Sequence, residues 1–256
     1  MRAWLDYFQR NRDHRLEIPW DLPIYLEPRC RGPLIRSLQR FQVGESGEGR
    51  HLRRHAASTG DAVYQECIEL FIKEEQEHAR LMAEILRRLG APLLERHWSN
   101  ACFVLLRRHF GLEAELLVLL IPEMIAQAYF RALHDGMGNP VLRSVFAQIL
   151  RDEDGHVAFH SAFLRRALAR LPLSGRILLR LGWRVLFRGA CLVVMADHHG
   201  ALRATKASAA KFWWDCGLMF DQVAAEILGS VPARWEAASP AQDSTRASCR
   251  HKLGAS

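Results

Sequence analysis

Two glutamate–histidine pairs, Glu75-Gln-Glu-His78 and Glu153-Asp-Gly-His156, give this chain its clearest chemical signal. Residues at i and i+3 lie one above the other on a helix, so each motif presents a carboxylate and an imidazole together. One such motif is weak evidence, since composition alone supplies on the order of one by chance. Glu48-Gly-Arg-His51 is in fact a third copy. A shared offset separates the first two from it. Glu45, Glu75 and His78 recur as Glu123, Glu153 and His156, each 78 positions on, and Glu74, Leu38 and Phe71 recur as Asp152, Leu116 and Ile149. Glu48 and His51 map onto Ala126 and Tyr129 and have no mate. Four carboxylates and two imidazoles form a donor set for two metal ions. Iron suits it, and manganese or a mixed pair is compatible.

The elements that must position these donors are helices. Read in steps of three and four, one seam runs Leu34, Leu38, Phe41, Glu45, Glu48, Leu52, and a second runs Ile68, Phe71, Glu75, His78, Met82. A third runs Leu116, Leu119, Glu123, Ala126, Phe130, and a fourth Phe146, Ile149, Glu153, His156, His160, Phe163. Each apolar seam is interrupted near its middle by acids or histidines. A buried carboxylate persists only when paired or metal-bound, so four interruptions at one depth predict a single shared site. Phe41, Phe71, Phe146 and Ile149 are expected to wall a substrate cavity beside it.

Punctuation sets the rest of the organisation. Residues 1–32, with Pro19, Pro23 and Pro28, read as an extended arm over the bundle. The bundle occupies 33–170: helix A from Pro33 to about His55, and B capped by Asp61 and ending at Gly90. C carries Glu123, and D opens at Asn139-Pro140. Residues 91–111 are long enough for a crossover from B to C, with a short helix expected over 103–108. Pro122 should kink or bulge helix C beside Glu123. Two further helices, near 173–198 and 204–229, make a C-terminal extension over 171–236, and the Ser- and Ala-rich tail 237–256 is expected to be disordered. The fold class is all-α.

The net charge of +7 comes from 31 arginines against 4 lysines. Arg176, Arg180, Arg184 and Arg188 form an i+4 stripe on an otherwise apolar stretch. It reads as an amphipathic helix with its solvated face outward, or as a docking face for an acidic electron-transfer protein or anionic membrane. No nucleic-acid motif accompanies the charge. Four central arginines argue against a transmembrane span. Six cysteines without a Cys-x-x-Cys pair, and a charged N-terminus without an apolar h-region, predict free thiols in a cytoplasmic protein. No rubredoxin-type site is built in, so electrons must come from an external donor. The triplet Asp197-His198-His199 has no partner at metal spacing and reads as surface or cap, and Tyr64 reads as core.

Over residues 34–168 the chain resembles the ferritin-like di-iron carboxylate superfamily, and the run Phe41 to Gly49 resembles an uncharacterised bacterial subgroup of it. That resemblance implies a ferritin-like four-helix bundle with a long B–C crossover. It also implies that Glu75 and Glu153 bridge two irons, while Glu45 and Glu123 flank them and His78 and His156 complete one iron each. Glu74 and Asp152 would each hold the histidine of the other motif. His160 is expected as a hydrogen-bonded neighbour of the site or a further ligand, and Glu48 as a carboxylate next to Glu45. The function expected is an oxidoreductase activating dioxygen toward a small organic substrate, with Glu75 and Glu153 at the reacting centre and a homodimer compatible. A ferroxidase and a helical interaction protein with structural metals are the rivals.

Overall fold

The structure, a computed structural model, describes residues 1–98 and 111–229. The helix expected over 103–108 and the tail from 237 lie outside these residues. The described chain contains helices and no strands: α1 (Arg2–Asp13), α2 (Pro28–Glu45), α3 (Arg50–Ser58), α4 (Ala62–Arg88), α5 (Leu112–Gly136), α6 (Pro140–Ala167), α7 (Leu173–Ala204) and α8 (Ala209–Leu228).

Local chemistry explains most of the boundaries. Asp61 and Asn139 cap α4 and α6, accepting from the backbone N–H of Tyr64 and Leu142 at 3.0 and 3.2 Å. Helix α2 starts at Pro28, not Pro33: Pro28 takes the first turn, where its missing N–H costs nothing, and Pro33 lies inside the helix. The long helix expected to reach His55 is broken instead at residues 46–49. There Gly49 adopts φ +62°, and a Cβ on it would press into Ile72. Helix α3 restarts beyond it, and His55 anchors it to Glu115 of α5.

Cross-helix pairs fix the directions. Arg31 reaches the carbonyl of Leu89 near one end of α2 and α4, and Glu74 and His78 of α4 meet His156 and Asp152 of α6. Gln127 of α5 donates to the carbonyl of Glu153 on α6 at 3.0 Å. Glu74–His156 and His78–Asp152 pair in opposite order, so α4 is antiparallel to α6, and the three-residue link 137–139 turns α6 back along α5, so α4 and α5 run the same way. Their shared core holds Leu38, Ile68, Met82, Leu116, Phe130 and Phe146, all fully buried. Helix α5 is long and apolar enough to cross a membrane, but most of it is buried as the central helix of this core. It runs on through Pro122 as continuous α-helix.

Two expectations about the flanks are corrected. The N-terminal arm is extended only after residue 14; Leu5 and Phe8 give α1 an apolar stripe that packs on α4 and α6 side chains. The arginine stripe of α7 is half-exposed and turned along the groove to α8 instead of forming the outermost face. Arg180 and Arg184 reach Asp221 of α8, Arg188 stacks on Trp213 with its guanidinium 4.2 Å from the ring centroid, and Arg176 binds the carbonyls of Ala169 and Leu171. The outward side carries Leu178 and Val185, 73% and 74% exposed. Asp221 offers the guanidinium groups a carboxylate that solvent would only screen, so the helix turns its cations toward α8.

Candidate metal centre

Each donor reaches the centre from a different place on the bundle. Glu45 is the last residue of α2, Glu75 and His78 lie in mid α4, Glu123 in mid α5, and Glu153 and His156 in mid α6. One ligand atom from each of Glu75, Glu123, Glu153 and His156 falls within a single cluster 4.8 Å across, so these four residues could hold a metal ion. His156 Nδ1 lies 3.0, 3.3 and 3.8 Å from oxygens of Glu75, Glu123 and Glu153. His78 Nδ1 lies 3.6 Å from both Glu75 Oε1 and Glu153 Oε1. Glu45 adjoins Glu75 and borders the same space. Glu48 is elsewhere: its side chain is 69% exposed beyond the end of α2 and pairs with Arg50. The break after Glu45 removed it from the seam.

The opposite edge of each imidazole is tied across the bundle. His156 Nε2 lies 3.0 Å from Glu74, and His78 Nε2 lies 2.9 Å from Asp152. A carboxylate that accepts the Nε2 proton fixes the tautomer and leaves the Nδ1 lone pair directed at the cluster. Both carboxylates are in turn held by α1. Asn11, buried on the same stripe as Leu5 and Phe8, donates its amide to Glu74 and to Asp152 at 2.7 Å each. Arg15 and Gln148 add bonds to Asp152 at 2.9 and 2.8 Å. Tyr7 lies so close to α6 that a Cβ on Gly155 would collide with its hydroxyl. Sequence reading missed Asn11, although a polar residue interrupting the Leu5–Phe8 stripe is the same signal that marked the acids.

The donors fit a metal on their own hydrogen-bonding record. Nδ1 of His78 and of His156, and carboxylate oxygens of Glu75, Glu123 and Glu153, are buried and have no hydrogen-bond partner. Unsatisfied polar atoms in one interior are costly singly, and here they converge. The electrostatics agree. Burial and the charge of Glu75 push Glu45 well above the usual carboxylate range, and burial with Glu123 does the same to Glu153. Glu75 rises for the same two reasons, burial and Glu123. Burial works against the charge of His156 too, yet Glu123, Glu153, Glu74 and Glu75 together raise it well above the imidazole range. Glu123, also opposed by burial, is drawn down to about 2 by His156. Without a cation, protons must hold this cluster together.

His160 is fully buried one turn beyond His156 but belongs to no cluster. Neither ring nitrogen has a hydrogen-bond partner among the described residues, contrary to the hydrogen-bonded neighbour expected, and the ring packs edge-on against Phe71. Burial brings it down to about 3, so it is neutral. Tyr64 is a core residue stacked on Phe163.

A cavity of about 140 Å³ opens directly from Glu45, Glu75, Glu123 and Glu153. Of the walls expected only Phe41 is present. Phe71, Phe146 and Ile149 fill the core instead, and the cavity lies on the flank between α2, α5 and α7, against Leu119, Ile125, Ala126 and Val194. Pro122 and Val118, the carbonyl that Pro122 deprives of a donor, both line it. His198, expected at the surface, is buried beside the cavity, where Nδ1 lies 2.8 Å from Ser37 Oγ, and Asp197 also lines the cavity. His199 alone of the triplet is exposed, its ring on the Ala196 carbonyl. Comparison with known proteins returned no matching family model, no matching curated protein and no matching solved structure.

Proposed function

We propose that this chain is a ferritin-like di-iron oxidoreductase that activates dioxygen toward a small organic substrate. The observation that carries the reading is the pair of imidazoles, each tied through Nε2 to a carboxylate of the other motif and each left with an unpartnered Nδ1 toward the same carboxylates. Glu75 and Glu153 adjoin both imidazoles, which suits bridging. Glu123 adjoins His156, and the charge of His78 reaches Glu45, which suits one flanking carboxylate per ion. Glu45, Glu75, Glu153 and His78 would hold one ion, and Glu75, Glu123, Glu153 and His156 the other. When bound, a pair of irons supplies electrons to dioxygen and oxidising power toward a substrate.

The protein's own contribution is geometry and exclusion of water. Asp152 and Glu74 hold the Nε2 edges and so aim each Nδ1 at the cluster, and α1 keeps those two acids in place. The raised Glu45 and Glu153 carboxyls stay protonated until a cation replaces their protons, so loading releases protons. The adjoining apolar cavity favours an organic substrate over iron storage, which needs only a path for ions. Iron loading followed by exposure to dioxygen tests the reading. An oxygenase or oxidase stops near two irons per chain. A ferroxidase continues to a mineral core of many irons, and a structural site is silent to dioxygen; either result would displace the proposal.

A further inference from the structure

The cavity has two chemically unlike ends. One is the carboxylate and imidazole cluster; the other carries Arg40, Asp197 and His198, which no metal reading uses. Arg40 lies five residues before Glu45 on α2, about 7.5 Å along the helix axis. Several arginines of the described residues meet a carboxylate within hydrogen-bond distance: Arg53 grips Glu69 through two nitrogens at 2.7 and 3.0 Å, and Arg88 meets Glu84 at 2.7 Å. Arg40 does not. It binds the backbone carbonyl of Asp197, while the Asp197 carboxylate stands 4.0 Å off, with His97 a further 3.9 Å neighbour of that carboxylate.

His198 adds a second donor. Tyr129 and Ser37 share a hydrogen bond, and Ser37 Oγ meets His198 Nδ1. Burial brings the ring down to about 3, with the charge of Arg40 adding, so the imidazole is neutral. The tautomer in which Ser37 donates to Nδ1 carries its ring proton on Nε2. This end of the cavity therefore offers a guanidinium and an imidazole, groups suited to a negatively charged acceptor, with the Asp197 carboxylate 4.0 Å from the guanidinium. Between the ends, Phe41, Leu119, Ile125 and Val194 present only apolar surface. At about 140 Å³ the space matches the roughly 150 Å³ that accommodates a benzene ring.

We propose that this cavity binds a compact organic carboxylate, with its anionic head at Arg40 and His198 and its apolar body of about one ring's size reaching the Glu/His cluster. The assignment of the inner end as the reacting end rests on the di-iron reading; the binding itself does not.

Calorimetry on the protein as purified with its metal tests it, using benzoate, benzyl alcohol and benzylammonium as one body with three heads, and acetate as a head without a body. Benzoate should bind at least tenfold more tightly than benzyl alcohol, with benzylammonium and acetate weaker still. Arg40→Gln should weaken benzoate about tenfold, the equivalent of one charge-assisted bond, and leave benzyl alcohol unchanged. Ala126→Phe, or Val194→Trp should the first fail to fold, should abolish both by filling the cavity. Equal affinity for the three heads, no binding of any, or benzoate binding indifferent to Arg40→Gln would overturn the proposal. Benzoate affinity that vanishes on metal removal yet ignores Arg40 would mean that the carboxylate seeks the metal, which is the same refutation. Iron content measured on the same samples keeps the readings apart: too little iron with benzoate still held by Arg40 sinks the metal centre and spares the anion site.

Discussion

Asn11→Ala is the sharpest perturbation the structure offers, because one amide holds both carboxylates that orient the two imidazoles. The substitution removes two N–H···O bonds of 2.7 Å to buried acids. Bonds to charged groups contribute about 1.5–3 kcal/mol each. The loss is not shared equally. Asp152 keeps Arg15 at 2.9 Å, Gln148 at 2.8 Å and His78 at 2.9 Å. Glu74 keeps only His156 at 3.0 Å, with Arg15 at 3.9 Å, beyond hydrogen-bond reach. The Asp152 side should therefore relax at small cost, and the Glu74 side should bear most of a total near 2–4 kcal/mol. Loosening an acid behind a metal-binding histidine costs about 10–100-fold in metal affinity. The ion nearest His156 should weaken by that factor and the ion nearest His78 by much less. Urea unfolding of the metal-free protein reads the first quantity, and competition with a chelator, followed by Mössbauer spectroscopy of the partly stripped protein, reads the second. Asp6→Ala, an exposed change on the same helix, is the control. An Asn11→Ala protein with unchanged stability and two equally tight ions would refute the reasoning.

Other outcomes follow from the same geometry. His78→Ala and His156→Ala should each lower bound iron from about two per chain, since each imidazole is the sole nitrogen donor on its side; elemental analysis showing full iron in both variants would end the di-iron reading. Glu45→Ala should lose an ion, whereas Glu48→Ala should keep both and shift stability by less than about 0.5 kcal/mol, the usual range for an exposed site; the reverse order would mean that α2 and its break have been misread. His198, held at about 3 when folded against an ordinary 6.5, stays neutral while the unfolded chain takes up a proton, so its contribution is lost as pH falls below 6.5. The native protein should lose about 1.4 kcal/mol per pH unit in that range relative to His198→Gln, with the gap measured by melting at stepped pH. Metal loading should release protons, and a pH-stat trace without release would contradict the protonated state of the empty cluster.

Much of this was legible in the residues. The 78-residue repeat picked out all four members of the cluster that could hold a metal, and caps at Asp61 and Asn139 gave the starts of α4 and α6 to the residue. Periodicity failed where the backbone departs from a straight helix. The i, i+3 spacing from Glu45 to Glu48 meant nothing once Gly49 took a left-handed conformation. It also could not show which side of an amphipathic helix faces the protein. In α7 the arginines meet Asp221 and Trp213 of α8 at a half-exposed edge, and several leucines are left outermost. The cavity was misplaced for a third reason: its outer wall is α7, an element from outside the repeat, so no pattern within the repeat could locate it.

The close approach of Tyr7 to Gly155 shows where the symmetry of the repeat is broken. Under the 78-position offset Gly155 corresponds to Glu77, a residue at the edge of α4 that pairs with Arg80. One copy of the motif can carry a large charged side chain at this position, and the other can carry none, because Tyr7 of α1 fills the space beside Gly155. The two halves are thus no longer interchangeable. A tandem copy of the first half could not replace the second without expelling α1, and with it the amide that serves both histidines. The single glycine inside Glu153-Asp-Gly-His156 marks where Tyr7 of α1 comes closest to the motif, and the cavity lies toward α2, α5 and α7 instead.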